Sequence, residues 1–169
     1  VKDGATLASG GTLATIEGNA RSLLAGERLA LNLLQHLSGV ATLTRAYVDA
    51  VNGTHVAIVD TRKTVPGLRV LQKAAVRAGG GVNHRMGLYD GVLIKDNHLA
   101  LAGGIAKAFA AAKANVPLRL GEGVSLQVEC DTLAQVDEAI AARADSVLLD
   151  NMDIATLKEA VARAKTVNI

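Results

Sequence analysis

The sequence predicts an α/β protein with parallel strands, arranged as an open doubly wound sheet or as a (β/α) barrel. Three observations predict it. Short apolar runs alternate with helix-like stretches from residue 56 onward. Runs such as Val56-Ala57-Ile58-Val59 and Gly91-Val92-Leu93-Ile94 lack the apolar–polar alternation of half-exposed strands, as expected for strands covered on both faces. Each run also ends in polar residues, and open α/β sheets and barrels place their ligands at that end of the strands.

The elements follow in order. Residues 1–18 carry short apolar pairs between Gly4, Gly10, Gly11 and Gly18, the punctuation of small strands and tight turns. Ala20, Leu23, Leu24, Leu31 and Leu34 then recur at helical spacing, and Ser38-Gly39 is predicted to stop or bend that helix. A second helix is expected over 41–51, ended by Asn52-Gly53. Strands follow at 56–59, 91–94, 125–129 and 146–149, and from Val167. Helices are expected at 68–78, closed by Gly79-Gly80-Gly81, and at 103–114, 133–142 and 154–164.

Composition narrows the class. A chain of 169 residues, half of them hydrophobic and 20 % charged, buries a core and is not intrinsically disordered. One cysteine, Cys130, excludes a disulfide scaffold and fits a reducing compartment, the cytoplasm. No stretch reads as a membrane span or a signal peptide, so no membrane partner is expected. Tyr47, Tyr89 and Phe109 are the only aromatic residues, too few for base stacking, and no nucleic-acid partner is expected. The opening Val1-Lys2-Asp3-Gly4, without an initiator Met, and the final β-prone Thr166-Val167-Asn168-Ile169 read as the ends of a piece of a longer protein.

Net charge is only +2, but it is unevenly spread. From Arg62 to His98, seven Lys or Arg stand against Asp90 and Asp96, a basic island that suits a compact anionic ligand. Arg69, Lys73 and Arg77 within it read as ordinary exposed helix residues. The others follow strand ends or the glycine turn: Asp60-Thr61-Arg62-Lys63-Thr64, Asn83-His84-Arg85 and Lys95-Asp96-Asn97-His98. Converging Arg62, Lys63, Arg85 and Lys95, with His84 nearby, would repel one another without an anion to neutralise them. Arginine forks suit carboxylate and phosphate, and lysine suits phosphate as a point charge.

Glu129 and Asp150 end the two later strands and stand apart from the cations in this reading. Two such carboxylates suit a Mg²⁺–phosphate complex or a developing positive charge on a sugar carbon. The plainer reading makes Asp150 the cap of the helix beginning near Ile154 and Glu129 a loop satisfier. Zinc is not expected, because His84 and His98 are far apart and Cys130 stands alone. Cys130 reads as a packed strand residue, not a nucleophile.

These motifs resemble one family. Glu27-Arg28-Leu29-Ala30-Leu31-Asn32, Leu37-Ser38-Gly39-Val40-Ala41-Thr42, the run from Asp60 to Arg69, Gly79-Gly80-Gly81-Val82-Asn83-His84-Arg85, Ile94-Lys95-Asp96-Asn97-His98 and Leu148-Leu149-Asp150-Asn151 together resemble the bacterial quinolinate phosphoribosyltransferases. The resemblance implies the tail of an N-terminal α/β sandwich domain over 1–38 and an incomplete, open (β/α) barrel over 39–169. It implies transfer of phosphoribosyl from phosphoribosyl pyrophosphate to quinolinate, giving nicotinate mononucleotide, pyrophosphate and CO₂, with Mg²⁺ accompanying the pyrophosphate.

Residue by residue, it implies that Arg28, Arg62, His84, Arg85 and Lys95 bind the quinolinate carboxylates. Arg28 would reach the neighbouring subunit's site in a homo-oligomer, at least a dimer. Lys63, Glu129 and Asp150 would serve phosphoribosyl pyrophosphate and Mg²⁺, the metal being held through water and not directly. Compared with the family, the front of the first domain, the Ser-Gly-Gly phosphate loop and the last barrel strands are lacking, so this piece alone is expected to be inactive. Residues 118–123 read as a short inserted loop. Two rival readings stand beside this one: a paralogous phosphoribosyltransferase-like protein of the molybdenum-locus type, and a non-catalytic anion-binding fragment.

Overall fold

The computed structural model of the chain describes residues 1–120 and 124–167, the side chains of 117–120 excepted. The chain forms two compact units, residues 1–86 and 87–169.

The first unit is built on a single helix, α1 (Ala20–Ala50), of 31 residues. Asn19 starts it, its side-chain oxygen accepting from the Arg21 and Ser22 amides at 3.0 and 3.3 Å. The predicted stop at Ser38-Gly39 does not occur. A single glycine costs only about 1 kcal/mol against alanine inside a helix, and the helix formers on both sides carry the pattern through. α2 (Arg69–Ala78) packs against α1 within this unit.

Gly79 and Gly81 permit that packing. A Cβ on Gly79 would lie 2.7 Å from Thr44 Cβ and against the Ala41 carbonyl oxygen, and one on Gly81 would lie 2.9 Å from Thr44 Cγ2. The expected strand at 56–59 contracts to one parallel bridge, Val59 to Val82. The Asp60 amide donates to Val82 O at 3.1 Å and the Val82 amide to Ile58 O at 2.8 Å. A strand needs a partner of matching length, and 81–85 offers only this contact. Residues 1–18 hold turns and no strand for the same reason.

The second unit is a parallel α/β layer. Strands β1 (Val92–Ile94), β2 (Leu126–Cys130) and β3 (Ser146–Leu149) form an open sheet in that order. α3 (Asp96–Ala102) and α4 (Ile105–Leu120) connect β1 to β2, and α5 (Leu133–Ala141) connects β2 to β3. α6 (Ile154–Lys165) follows β3. α4 continues past the expected end at Ala114 to Leu120, so the first half of the proposed 118–123 loop is helical. Residues 121–123 lie outside the described residues, as does most of the strand expected from Val167, which itself sits in a turn.

Burial alternates along β2. Leu126, Val128 and Cys130 point into a core with Ile94, Phe109, Val136 and Ala160, while Gln127 and Glu129 face the other way. Thr132 caps α5 and Asp153 caps α6, each side chain accepting the third amide of its helix. Among the described residues no helix is long and apolar enough to cross a membrane.

Candidate functional site

The expected site residues fall into two sets, one in each unit. In the first unit Arg28 stands on α1 and the others stand on two loops, 60–64 and 81–86, which α2 ties down. The inward stripe of α2 is Arg69, Lys73 and Val76, at helical spacing. Arg69 Nε donates to Thr64 Oγ1 at 3.1 Å. Its two terminal nitrogens reach the Arg62 carbonyl at 3.3 Å and the Met86 carbonyl at 3.2 Å. One guanidinium therefore joins the loop carrying Arg62 and Lys63 to the loop carrying His84 and Arg85.

Lys73 makes a second tie. It is 1 % exposed, and its ammonium pairs with the Asp60 carboxylate while donating to His84 O at 3.0 Å. Asp60 also accepts from the His84 amide at 2.8 Å and from the Asn83 side chain. Asn83 in turn donates to the Lys73 carbonyl at 2.9 Å, and Arg77 donates to its side-chain oxygen. Reading Arg69 and Lys73 as ordinary exposed charges is therefore wrong, while Arg77 is exposed as expected and adds its contact to Asn83. The missed signal is the helical stripe: Lys73 and Arg69 share a face with Val76, at the spacing of one side of a helix.

On this frame Arg62 and Arg85 are half-buried, and Lys63 and His84 are exposed. Arg62 Nε is buried and has no hydrogen-bond partner among the described residues. The side chain as a whole is only half-buried, which leaves the rest of its guanidinium open to an anionic ligand. Arg28 lies exposed on α1.

In the second unit Lys95, Glu129 and Asp150 stand at the carboxyl ends of β1, β2 and β3. Ile94 pairs with Val128 in register, which sets Lys95 and Glu129, one residue further on, beside each other. Lys95 Nζ donates to Glu129 Oε2 at 2.7 Å. The expectation that the carboxylates stand apart from the cations is corrected by this contact. The sequence missed it because residues 34 apart become neighbours only through strand register. His98, the third residue of α3, accepts from the Lys95 amide at Nδ1 at 2.9 Å, which makes it a capping residue.

Asp150 extends the β3 ladder, its amide donating to Cys130 O at 3.1 Å. Its exposed carboxylate accepts from the Asn151 amide at 2.9 Å. Asp153, not Asp150, caps α6, so the structural duty weighed for Asp150 belongs to its neighbour. The hydrogen bond from the Thr156 amide holds the Asp153 carboxyl below its usual value. Lys95, Glu129 and Asp150 share one pleat parity, with Gln127 two residues below Glu129 on the same side. Cys130 has the opposite parity. Burial, then the negative charges of Asp131, Glu138 and Glu129, push its thiol up to about 11, which suits a packed residue and not a nucleophile. Among the described residues no three His, Cys, Asp or Glu gather as a metal cage.

Comparison with known proteins gives these sets a family. Residues 40–169 match the quinolinate phosphoribosyl transferase C-terminal domain, and residues 1–38 match the N-terminal domain of the same family. The chain is 51 % identical over 163 residues to the nicotinate-nucleotide pyrophosphorylase (carboxylating) of Mycobacterium leprae, covering 96 % of this chain and 56 % of that protein. It is 39 % identical over 176 aligned residues to quinolinate phosphoribosyltransferase (decarboxylating) 2a, mitochondrial, of Nicotiana tabacum, covering 95 % of this chain and 49 % of that one.

Among solved structures, NadC from Streptococcus pyogenes superposes with a TM-score of 0.87 at 46 % identity, over 96 % of this chain and 55 % of that one. The nicotinate-nucleotide pyrophosphorylase of Francisella tularensis does so with a TM-score of 0.81 at 47 % identity, over 89 % and 52 %. The chain spans about half the length of the curated relatives it matches. The open parallel sheet of the second unit is accordingly part of a (β/α) barrel, and the chain belongs to the quinolinate phosphoribosyl transferase family.

Proposed function

We propose that the protein to which these residues belong transfers the phosphoribosyl group of phosphoribosyl pyrophosphate to quinolinate and decarboxylates the product to nicotinate mononucleotide. The observation that carries this reading is the tie made by Arg69 and Lys73, which holds the loop of Arg62 and Lys63 to the loop of His84 and Arg85. It adds to a family whose relatives are named for this reaction. In the reaction the pyridine nitrogen forms a bond to ribose C1 as the bond from C1 to pyrophosphate breaks. The carboxylate beside that nitrogen then leaves as CO₂, and a proton takes its place.

Arg62, His84 and Arg85 bind the two carboxylates of quinolinate in this reading, with Lys95 as a further contact. Arg28, exposed on α1, reaches the site of a second subunit in a homodimer. Lys63 binds phosphate. Glu129 and Asp150 face the ribose carbon, where fixed negative charge stabilises the cation that develops as pyrophosphate leaves.

Glu129 and Asp150 would hold a Mg²⁺ ion through its waters, beside the pyrophosphate. The donor set fits a magnesium ion that keeps its waters, since Glu129 Oε2 is engaged by Lys95 and Asp150 offers one exposed carboxylate. Bound there, the ion would neutralise charge on the leaving pyrophosphate. A compartment that keeps thiols reduced, the cytoplasm, suits the single cysteine. No observation favours the molybdenum-locus reading.

Pyrophosphate release by the full-length protein to which these residues belong, with and without quinolinate, tests the assignment and separates it from an anion-binding module without turnover. Quinolinate titrated calorimetrically into Arg62→Ala and Arg85→Ala should bind more weakly by about 1.5–3 kcal/mol, the size of a charge-assisted hydrogen bond. Release that ignores quinolinate, or unchanged affinity in Arg62→Ala, Arg85→Ala and Lys95→Ala, overturns it.

A further inference from the structure

Two loops that carry anion-binding candidates are held in place by one buried cation that has no route to the ligand. Lys73 is 1 % exposed, so it cannot touch a solute. Its ammonium spans the two loops, pairing with the Asp60 carboxylate two residues before Arg62 and donating to the His84 carbonyl one residue before Arg85. Asp60 closes the ring by accepting from the His84 amide at 2.8 Å and from the Asn83 side chain. Both peptide groups of His84 are therefore fixed by this pair, and the direction in which Arg85 leaves the backbone is set with them.

A general stability role asks only that the charges be paired somewhere. This pair does more. Lys73 donates to the His84 carbonyl, and Asp60 accepts from the His84 amide and the Asn83 side chain, so both partners hold the loop that bears the candidate binding residues. We propose that Lys73 is a positioning residue for the anion site of this unit, acting with Asp60 to set the geometry of Arg62, His84 and Arg85. The inference rests on the quinolinate reading above and adds to it a residue that reaches the substrate through others.

Positioned groups act at near-fixed geometry, so a small displacement of Arg85 weakens a two-carboxylate ligand strongly. The experiment is quinolinate titration into the full chain carrying Lys73→Met, Arg85→Ala or both, with cooperative thermal unfolding confirming that each is folded. Lys73→Met is expected to raise the quinolinate Kd at least tenfold. In the Arg85→Ala background the same change should cost less than threefold, because the group it positions is gone. A role in stability alone moves the unfolding midpoint and leaves the Kd of the folded protein unchanged.

Removing one partner of a buried ion pair is strongly destabilising, whereas removing both charges is often tolerated, so Asp60→Asn/Lys73→Met is the second variant. Folded Lys73→Met or Asp60→Asn/Lys73→Met protein with wild-type affinity overturns the proposal. So does a Lys73→Met effect that stays tenfold or more beside Arg85→Ala. If neither variant folds, the pair is a folding element and the proposal is overturned as well. An Arg85→Ala protein that binds quinolinate normally defeats the substrate reading itself. A weakened Arg85→Ala beside an unaffected Lys73→Met defeats only the positioning role.

Discussion

Lys95 and Glu129 meet across adjacent parallel strands, the lysine Nζ donating to Glu129 Oε2 at 2.7 Å with Glu129 12 % exposed and Lys95 41 %. The contact gives Glu129 a fixed orientation before any ligand arrives. It also makes the state of each residue depend on the other. Lys95→Met leaves a mostly buried carboxylate without its cation and should destabilise the fold by about 1 kcal/mol, less than a fully buried pair because the lysine is part-solvated. In a double-mutant cycle with Glu129→Gln, urea unfolding should give a coupling on the order of 1 kcal/mol. Strict additivity would mean that the contact carries no net stability.

Two glycines in the first unit should respond oppositely to alanine. A Cβ on Gly79 has no room beside Thr44 and the Ala41 carbonyl, so Gly79→Ala must push α2 away from α1 and should cost roughly 1–3 kcal/mol. Gly39 lies inside α1, and an added Cβ meets nothing within 4 Å. Gly39→Ala should stabilise by up to about 1 kcal/mol, through helix propensity and a less flexible unfolded chain. Urea midpoints of the two variants should fall on either side of wild type. Two shifts of the same sign would contradict the packing described for this unit.

The same glycines show where sequence reasoning succeeds and where it stops. Local patterns located β1, β2, β3, α5 and α6 closely, because their signals lie within each segment: an apolar run or a helical stripe. Gly39 misled because a weak local penalty is outvoted by thirty residues of helix former. The strand at 56–59 shrank to a bridge because its partner, not its own composition, decides whether a ladder forms. At the site, loop positions were legible as candidates, Arg62 as a polar residue after an apolar run and His84 as one after the glycine turn. Lys73 was not, since charge argued for solvent more loudly than spacing argued for burial. Lys95 with Glu129 and Lys73 with Asp60 are tertiary facts, set by register and by helix docking.

Asp153 predicts a pH dependence. Its carboxyl is held below the usual aspartate value of 3.8, chiefly by the Thr156 amide at the start of α6. A depressed folded value favours the fold while the group is ionised in both states. That contribution is complete above the unfolded value and is lost as pH falls through the folded one. The urea midpoints of wild type and Asp153→Ala should differ by a constant amount at neutral pH and converge as pH drops below the ordinary aspartate range. A difference that persists at the lowest pH would mean that the carboxyl caps α6 equally well when protonated.

Asp150 offers the sharpest separation of structure from chemistry. Its carboxylate is exposed, one oxygen accepts the Asn151 amide at 2.9 Å, and the cap of α6 is Asp153. Asp150→Asn keeps a side-chain oxygen for that amide and removes only the charge. Stability and quinolinate affinity should therefore stay close to wild type. If the charge faces the ribose carbon as pyrophosphate departs, it stabilises the transition state more than the ground state. Then kcat of the full-length protein should fall by roughly ten- to a thousandfold, the size of a lost preorganised electrostatic contact. Glu129→Gln should lower kcat by a similar factor but also loosen Lys95, so its effect should extend to quinolinate binding where that of Asp150→Asn does not. Unchanged kcat in Asp150→Asn removes the carboxylate from the reaction, and a matching loss of quinolinate affinity reassigns it to ground-state binding.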